Sequence, residues 1–483
     1  MSITRQIAHN TLIQLIGKIF STLLGVLTVA VMARYLGQIG FGQYSTISAY
    51  LQLFAILVDM GLSLTVIRLI ADPHNEPRQV FNNLFTLRFF SALVLLFIAP
   101  LIVLFFPYDN LVKTGIVIMS FSFFFSALNQ IIIGIFQKEL KMFAVTLAEV
   151  CGRLILLLLT FLASVSNYGL LFVVLAVVLG SLINFIILYF SALRYIKINF
   201  AFNWGVWKKI LQITWPLALS IAFNLVYFKA DILILSLVRS QAEVGLYSAP
   251  YRVLEILVNF IFMFMGIVLP VLTFNWAQKN YDKFKEIFQK IFDLLLIISL
   301  PMVFGTLFVA KNLMMLIAGP DFAVSGDLLK VLIIATAIIF INSIYGYTIV
   351  VLDKQTEMVK FYLINAVLAL AGYIITIPIY GYWGAAVFTI ISEAFIFIVN
   401  FIVVSKTTGQ IPSLKLLPKI ILATLIMCLI LALIPGLNVI LQLLIAGIFY
   451  LGALYLLKGI DKKLILEIFK LKSQPEQPKI NGY

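Results

Sequence analysis

Long uninterrupted apolar runs dominate this sequence, and they do not alternate with polar residues. The run LRFFSALVLLFIAPLIVLFF, at residues 87–106, contains a single charge. A helix needs about 20 apolar residues to cross a hydrocarbon core about 30 Å thick. Charged or Gly/Pro-rich breaks divide the chain into fourteen runs of about this length, whereas the strands of a membrane barrel would alternate apolar and polar residues. The pattern therefore predicts an all-α polytopic membrane protein with about 14 transmembrane helices.

The predicted spans are separated by short polar connections. They lie at residues 11–33, 44–67, 84–106, 113–135, 144–164, 170–190, 210–235, 247–272, 291–310, 328–350, 361–379, 384–405, 417–434 and 439–457. An even number of spans puts both termini on one side of the membrane. Most of the 34 lysines and arginines fall on that side, including Lys279, Lys283 and Lys285 in a loop predicted at residues 275–289. Because cytoplasmic segments carry such an excess, both termini are predicted to be cytoplasmic.

Two short motifs mark an internal repeat. GQYS at residues 42–45 and GLYS at residues 245–248 each open the second span of a six-span block. The simplest organisation is an N-terminal lobe at 1–200, a pseudo-symmetric C-terminal lobe at 201–410, two additional C-terminal helices at 411–457 and a basic cytoplasmic tail at 458–483. Each repeat has an even number of spans, so the two lobes share one orientation and are related by an axis along the membrane normal. We expect a substrate to pass between them.

Composition agrees with this architecture and narrows the function. Apolar residues make up 63% of the chain and charged residues 11%, against roughly 45–50% and 25% in soluble domains, which excludes a soluble enzyme and a disordered chain. The net charge of +14 would suggest a nucleic-acid partner in a soluble protein, but here it follows the predicted cytoplasmic segments, so we expect no nucleic-acid partner. Cys151 and Cys428 lie inside apolar runs without metal-ligand spacing, and no cofactor is predicted.

Four spans carry a polar stripe along one helical face. Polar positions recur about every 3.6 residues in spans 1, 2, 7 and 8, which occupy matching places in the two lobes. The larger polar members of these stripes are Gln14, Lys18, Gln52, Asp59, Asn224, Asp231, Arg252, Glu255 and Asn259. Small and amide residues alone also serve helix packing in lipid. A charge at mid-bilayer costs about 2.5–3.5 kcal/mol, so the charged members indicate a cavity or a partner.

The cations inside the spans are the main candidates for binding an anion. Lys18 has no acidic residue within a turn of its own helix, which favours a functional role. Arg153 follows Glu149 by four residues, so an ion pair along the helix and an anion-binding role are equally open. Arg252 precedes Glu255 by three residues near the outer boundary, where pairing is the favoured interpretation.

Other intramembrane charges are assigned from their positions along the helices. Lys229 and Asp231 are two residues apart and point to nearly opposite faces; Asp231 joins the polar stripe, and the role of Lys229 is open. Arg88 lies near the start of span 3 and is expected to reach the membrane interface. The remaining carboxylates are either partners for the cations or protonatable coupling groups, namely Asp59, Glu255 and Glu393.

Ordered by depth, four of the cations form a ladder across the membrane. Lys18 lies towards the cytoplasm, Arg153 is central, and Lys229 and Arg252 are towards the outside. A phosphate-bearing group could pass between such cations without becoming an unpaired charge in a medium of low dielectric constant. The ladder therefore predicts an anionic substrate.

Two segments carry a family resemblance. RYLGQIGFGQYSTISAYLQLFAILVDMGL at 34–62 and DILILSLVRSQAEVGLYSAPYRV at 231–253 resemble the polysaccharide transporter family, the O-antigen and exopolysaccharide flippases of the multidrug, oligosaccharidyl-lipid and polysaccharide exporter superfamily. The resemblance extends over the chain in span number and repeat layout. It implies a V-shaped two-lobe fold whose cavity is lined by spans 1, 2, 7 and 8. It further implies that Lys18, Arg153 and Arg252 are cationic cavity residues, and that an undecaprenyl-diphosphate-linked oligosaccharide moves from the cytoplasmic to the outer leaflet.

The function expected from these features is a flippase for cell-surface polysaccharide assembly. It would lie in the plasma or inner membrane of a bacterium or archaeon, with a polyprenyl-diphosphate-linked glycan as substrate and with membrane lipids, a glycan polymerase and export machinery as partners. One alternative is a multidrug antiporter of the same superfamily, which usually has twelve spans and an acidic cavity. Another is a membrane glycan polymerase or glycosyltransferase. That enzyme would need a catalytic loop with clustered acids or a metal site, whereas the predicted connections are short and contain no DxD or HExxH pattern.

Overall fold

A computed structural model of the chain describes residues 3–59, 61–62, 66, 69–70 and 76–459. The side chains at 3–9, 11–12, 15, 213 and 215–228 lie outside this description, and so does the predicted tail beyond residue 459. Over the described residues the chain is almost entirely helical and contains no strand. The all-α class predicted from the apolar runs is confirmed.

The first two helices join at a glycine. Helices α1 (3–36) and α2 (38–59) are the two arms of the helical stretch Ile3–Asp59, which bends at Gly37. Gly37 has φ 63° and ψ −171°, a backbone conformation that is accessible almost only to glycine. The other helices are α3 (Pro77–Ile102), α4 (Asn110–Lys138), α5 (Phe143–Ser166), α6 (Leu170–Ala192), α7 (Trp204–Val238), α8 (Gln241–Ala277), α9 (Tyr281–Ala318), α10 (Ser325–Val351), α11 (Gln355–Tyr380), α12 (Tyr382–Thr408), α13 (Leu417–Leu433) and α14 (Val439–Leu456).

Each of the fourteen predicted spans overlaps one of these helices, and residues 60, 63–65 and 67 of the second span lie outside the described residues. Eleven helical stretches among the described residues are long and apolar enough to cross a membrane. The first, Ile16–Asp59, has 44 residues and a contour length of about 66 Å, which suffices for two crossings. Helix α13 is shorter, at 17 residues, and most side chains in the middle of α7 are not described. The chain is therefore a polytopic membrane protein.

One predicted loop is wrong. Residues 275–289 were expected to connect two spans, but α8 continues to Ala277 and α9 begins at Tyr281, which leaves three residues between them. The lysines that ended the apolar run are good helix formers, and they have acidic partners one turn away. Lys283 and Lys290 both pair with Glu286, at 2.9 and 2.8 Å, so α9 extends beyond its apolar part.

The packed chain divides into two compact units. One comprises Met1–Phe260, Ala310–Ile338 and Asp353–Val399, and the other comprises Ile261–Val309, Ile339–Leu352 and Asn400–Tyr483. In the first unit, α5 and α6 approach closely at Gly152 and Gly180, where an added Cβ on either glycine would lie 2.7 Å from the carbonyl oxygen of the other. In the second unit, the Tyr450 hydroxyl donates to the Ile297 carbonyl at 2.7 Å. Small residues and buried hydroxyls thus hold the helices together.

The two repeat motifs contact each other inside the first unit. A Cβ added at Gly42 of α2 would lie 1.8 Å from the carbonyl oxygen of Gln241, and one added at Gly245 of α8 would lie 2.0 Å from that of Gln38. Each glutamine precedes its glycine by four residues, so the contact is reciprocal. The Thr46 hydroxyl also donates to the Gln241 side-chain oxygen at 2.8 Å. The glycines that mark the repeat are therefore the points at which α2 and α8 pack against each other.

Candidate functional site

A first group of charges joins α1 and α5. Lys18 Nζ lies 3.2 Å from Glu149 Oε1, and Arg153 Nε lies 3.6 Å from the same oxygen. We call Lys18, Glu149 and Arg153 the first triad. All three side chains are partly exposed, and the triad carries a net charge of +1 because one carboxylate serves two cations. Arg153 Nε is buried and has no hydrogen-bond partner among the described residues.

Two glycines of α1 permit this arrangement. A Cβ at Gly17 would lie 1.9 Å from Cγ2 of Thr146, and a Cβ at Gly25 would lie 2.8 Å from Nη1 of Arg153. Larger residues at these positions would hold α5 away from α1. The polar stripe of α1 can therefore meet Glu149 and Arg153, which lie one turn apart on α5.

A second triad joins α7 and α8. Lys229 Nζ forms a short ion pair with Glu255 Oε1, and Arg252 Nη1 lies 2.8 Å from Glu255 Oε2. Lys229 Nζ also lies over the ring of Tyr251, 5.0 Å from its centroid, which adds a cation–π contact. Lys229, Arg252 and Glu255 form the second triad, which again carries a net charge of +1. Lys229 is buried and the other two are partly buried.

The second triad lines a narrow crevice together with α2. Ser45, Ser48 and Gln52 of α2 face it, and Ser248 of α8 completes its polar wall. Its free volume is about 10 Å³, which is room for about one water molecule. The hydroxyl oxygens of Ser45 and Ser248, the last residues of the two repeat motifs, are buried and have no hydrogen-bond partner among the described residues. The crevice thus combines excess positive charge with two unsatisfied hydroxyls.

Asp231 belongs to the polar stripe of α7 but does not line this crevice. Its carboxylate accepts hydrogen bonds from the Tyr247 hydroxyl at 2.5 Å and from the backbone N–H of Ile232 at 2.7 Å, and the residue is fully buried. The Tyr247 hydroxyl is also 3.4 Å from the Thr389 hydroxyl of α12. Since Lys229 faces the crevice and lies two residues away, the helix turns Asp231 to the opposite side. Asp231 is therefore not among the residues that line the crevice, whereas Lys229 is.

Arg88 is also corrected, from an interfacial residue to a buried one. Helix α3 begins at Pro77 rather than at residue 84, so Arg88 lies about 16 Å into the helix. The side chain is 0% exposed, pairs with Asp59 at 2.5 Å and also donates to Gln130. Two backbone carbonyls accept from the same guanidinium, those of Val58 at 2.6 Å and Ala127 at 3.1 Å. Asp59 is thus a structural partner of Arg88.

The predicted amide residues divide by position. Gln52 lines the crevice, whereas Gln14 and Asn259 are exposed at their places on α1 and α8. The side chain of Asn224 lies outside the described residues. Sequence reasoning did not select Tyr251 or Ser248 as binding residues, although Ser248 belongs to the polar stripe and to the repeat motif. The structure therefore gathers the four ladder cations into two triads, each organised by one glutamate.

Known proteins match this chain in sequence. Residues 31–325 match the family model described as polysaccharide biosynthesis protein. The chain is 24% identical over 283 residues to the capsular polysaccharide biosynthesis protein CapF of Staphylococcus aureus, covering 58% of this chain and 72% of CapF.

Two solved structures have a similar fold. The lipid II flippase MurJ in an inward closed conformation gives a TM-score of 0.76 at 17% identity, covering 91% of this chain and 97% of that one. An inward-facing multidrug resistance transporter of the MATE family in the MOP superfamily gives a TM-score of 0.67 at 13% identity, covering 80% and 94%. At these identities the likeness concerns the fold.

Proposed function

Because the chain belongs to the polysaccharide biosynthesis protein family, we propose that it is a flippase for a lipid-linked oligosaccharide. The membership confirms the family resemblance carried by residues 34–62 and 231–253. In this proposal a polyprenyl-diphosphate-linked glycan moves from the cytoplasmic to the outer leaflet, where a glycan polymerase and export machinery receive it. The polyprenyl tail stays in the lipid bilayer, while the diphosphate and the sugars cross the membrane along the polar residues of the protein.

The observation that carries the proposal is the cation excess of the two triads. Glu149 holds Lys18 and Arg153, and Glu255 holds Lys229 and Arg252, so each site keeps one positive charge beyond its carboxylate. Charged groups in the membrane are costly unless they meet a partner. A diphosphate supplies the missing negative charge, and charge-assisted hydrogen bonds to Arg and Lys are the strongest that a protein offers it.

The closed crevice supports alternating access as the mechanism. A free volume of about 10 Å³ is too small for a sugar, so α2, α7 and α8 must separate before a glycan can pass Lys229 and Arg252. The substrate shifts the equilibrium towards an open state only through interactions that it makes there and not in the closed state. Ser45 and Ser248 provide such interactions, since their hydroxyl oxygens have no hydrogen-bond partner among the described residues of the closed form.

A transport test separates the flippase from its alternatives. In a strain lacking the wild-type gene, the double variant Lys18→Gln/Arg153→Gln should lower surface delivery of the glycan by roughly tenfold or more, because each lost charge-assisted hydrogen bond is worth about 1.5–3 kcal/mol. Lipid-linked precursor should accumulate inside. Lys330→Gln, which removes an exposed cation paired with Asp327, is the control and should deliver normally. Undiminished delivery by the double variant, at equal protein level in the membrane, would show that the first triad is not part of the mechanism.

The multidrug alternative is kept because the MATE transporter shares the fold. Its substrates would be cationic, and the net positive charge of both triads would repel them. Export of a cationic dye by the purified chain in vesicles, without effect of the lipid-linked glycan, would favour that alternative. Turnover of a sugar donor would instead indicate an enzyme.

A further inference from the structure

Two adjacent clefts open at one end of the first six helices. The first has a volume of about 400 Å³ and contains the cations Arg78, Lys138 and Lys197. The second has a volume of about 490 Å³ and contains Lys141 and Arg194. Glu139 and Tyr195 line both, so the two form one continuous feature, which we call the basic clefts.

The positive charge of the basic clefts is not neutralised within the described residues. Among the described residues, Glu139 is the one carboxylate that lines them, and one of its carboxylate oxygens lies 3.8 Å from Lys138 Nζ. The other four cations make no side-chain hydrogen bond or ion pair to any described residue; they are Arg78, Lys141, Arg194 and Lys197. Elsewhere, partly exposed lysines pair with a carboxylate one turn away; Lys354 Nζ, for example, lies 2.9 Å from Glu357. The basic clefts therefore have the charge to hold an external anion.

The walls of the basic clefts also include apolar side chains. Isoleucines line the first, namely Ile70, Ile135 and Ile196, and two phenylalanines, Phe136 and Phe143, line the second. Just beyond Lys197 in sequence, Ile198 lines a further cleft of about 400 Å³ whose other walls include five phenylalanines, namely Phe85, Phe89, Phe124, Phe185 and Phe200. A free phosphate ion would leave these apolar side chains without a contact. A ligand with a phosphate and a hydrocarbon chain satisfies the cations and the walls together.

The position of the basic clefts also favours a lipid as their ligand. They lie where α3 and α5 begin and where α4 and α6 end, which is a single end of these alternating helices. That end is the one predicted to face the cytoplasm, whose leaflet carries anionic lipids, and basic pockets between helices on this side bind lipid head groups. We propose that the basic clefts bind the phosphate of an anionic membrane phospholipid, with its acyl chains against the isoleucine and phenylalanine walls. This site is separate from both triads and does not depend on the transport function.

Such a lipid would stabilise the connection between α6 and α7. Arg194 and Lys197 lie on this connection, which is already fixed to α3 because the side chains of α3 accept hydrogen bonds from its backbone. Asn82 accepts from the N–H of Asn199 at 3.2 Å, and Thr86 from that of Ala201 at 2.9 Å. A phosphate bound to Arg194 or Lys197 would add a second attachment.

Native mass spectrometry of the purified full-length chain tests the site. The triple variant Arg78→Gln/Arg194→Gln/Lys197→Gln should retain phosphatidylglycerol about a hundredfold more weakly, because each cation near the surface contributes about fivefold. Lys279→Gln/Lys285→Gln/Lys360→Gln removes the same charge from the same predicted face and should retain it as the wild type does. Phosphatidylcholine should bind all three proteins equally. Equal retention of phosphatidylglycerol by the variant and the control would overturn the proposal.

Two further binding measurements distinguish a phospholipid from inorganic phosphate and from polyprenyl diphosphate as the ligand. Inorganic phosphate should not displace phosphatidylglycerol from the wild type, since it cannot cover the apolar walls; efficient displacement would overturn a lipid site. Polyprenyl diphosphate should bind the triple variant as well as the wild type if these clefts hold a resident phospholipid. Selective loss of polyprenyl diphosphate, with phosphatidylglycerol retained, would overturn the phospholipid assignment. If the triple variant fails to fold, the single variant Arg194→Gln with the control Lys285→Gln gives the same comparison at about fivefold.

Discussion

Glu255 is the residue on which the second triad depends. It accepts from Lys229 through one oxygen and from Arg252 through the other, so its loss leaves two cations without their carboxylate. Glu255→Gln should lower the free energy of unfolding by about 3 kcal/mol, as removal of one member of a buried ion pair does. Adding Lys229→Met should restore part of that stability, because the double variant has only one unpaired cation. Thermal unfolding in detergent measures this, and additive losses in the two single variants and the double variant would show that the residues are not coupled.

Arg88 has a structural role that differs from that of the triad cations. Its guanidinium is fully buried and donates to two carbonyls and two side chains, a geometry that a lysine ammonium cannot reproduce. Arg88→Lys should therefore reduce the yield of monodisperse protein after extraction, whereas Arg78→Lys, at an exposed site in the first turn of α3, should leave it unchanged. Size-exclusion chromatography gives the yield. Normal yield with lost glycan delivery would instead make Arg88 a transport residue.

Spacing along a helix predicts only half of each triad. The pairs Glu149–Arg153 and Arg252–Glu255 lie four and three residues apart, and both form as this spacing indicates. The partner of Lys18 is 131 positions away and that of Lys229 is 26 positions away, so packing between helices decides those contacts. The charged residues are identifiable from their cost in the membrane, but their partners are not.

At the level of the helices, apolar runs predict the elements well and their ends poorly. The run that begins at residue 84 misses the first two turns of α3, because these contain polar residues that still form helix. For the same reason, the apolar runs did not predict the depth of Arg88 within α3 or the start of α9. Hydropathy marks where a helix contacts lipid, whereas hydrogen bonding and side-chain propensity decide where it begins and ends.

The reciprocal contact of Gly42 and Gly245 makes the α2–α8 crossing testable. An alanine methyl at Gly245 would lie 2.0 Å from a backbone oxygen, so α2 and α8 must move apart. In a variant with Cys151 and Cys428 replaced by serine, a short bifunctional maleimide should cross-link Thr46→Cys to Gln241→Cys, since the hydrogen bond between the native side chains places the two positions within its reach. Gly245→Ala should lower the yield of that cross-link severalfold. Gly266→Ala, on the same helix with nothing within 4 Å of the added Cβ, is the matched control. Equal yields in both variants would show that the crossing does not require glycine.

For the whole molecule, the net charge of +14 predicts an orientation in the membrane. The class of the protein could be predicted because 63% apolar residues leave few alternatives to membrane helices, and the family because two segments carry its pattern. The substrate could not, since the crevice at the second triad has a free volume of about 10 Å³ and holds no imprint of one. What the charge does predict is which end of each helix faces the cytoplasm.

Labelling the two ends of α9 decides that orientation. This helix has 38 residues and a contour length of about 57 Å, more than a bilayer core, so its flanking residues lie on opposite sides of the membrane. With both termini cytoplasmic, Gln278→Cys should react with an impermeant maleimide only after the cells are opened, and Val324→Cys should react in intact cells. Both positions are exposed. The reverse pattern would place the lysine excess and the basic clefts outside, against the electrostatics from which both were argued.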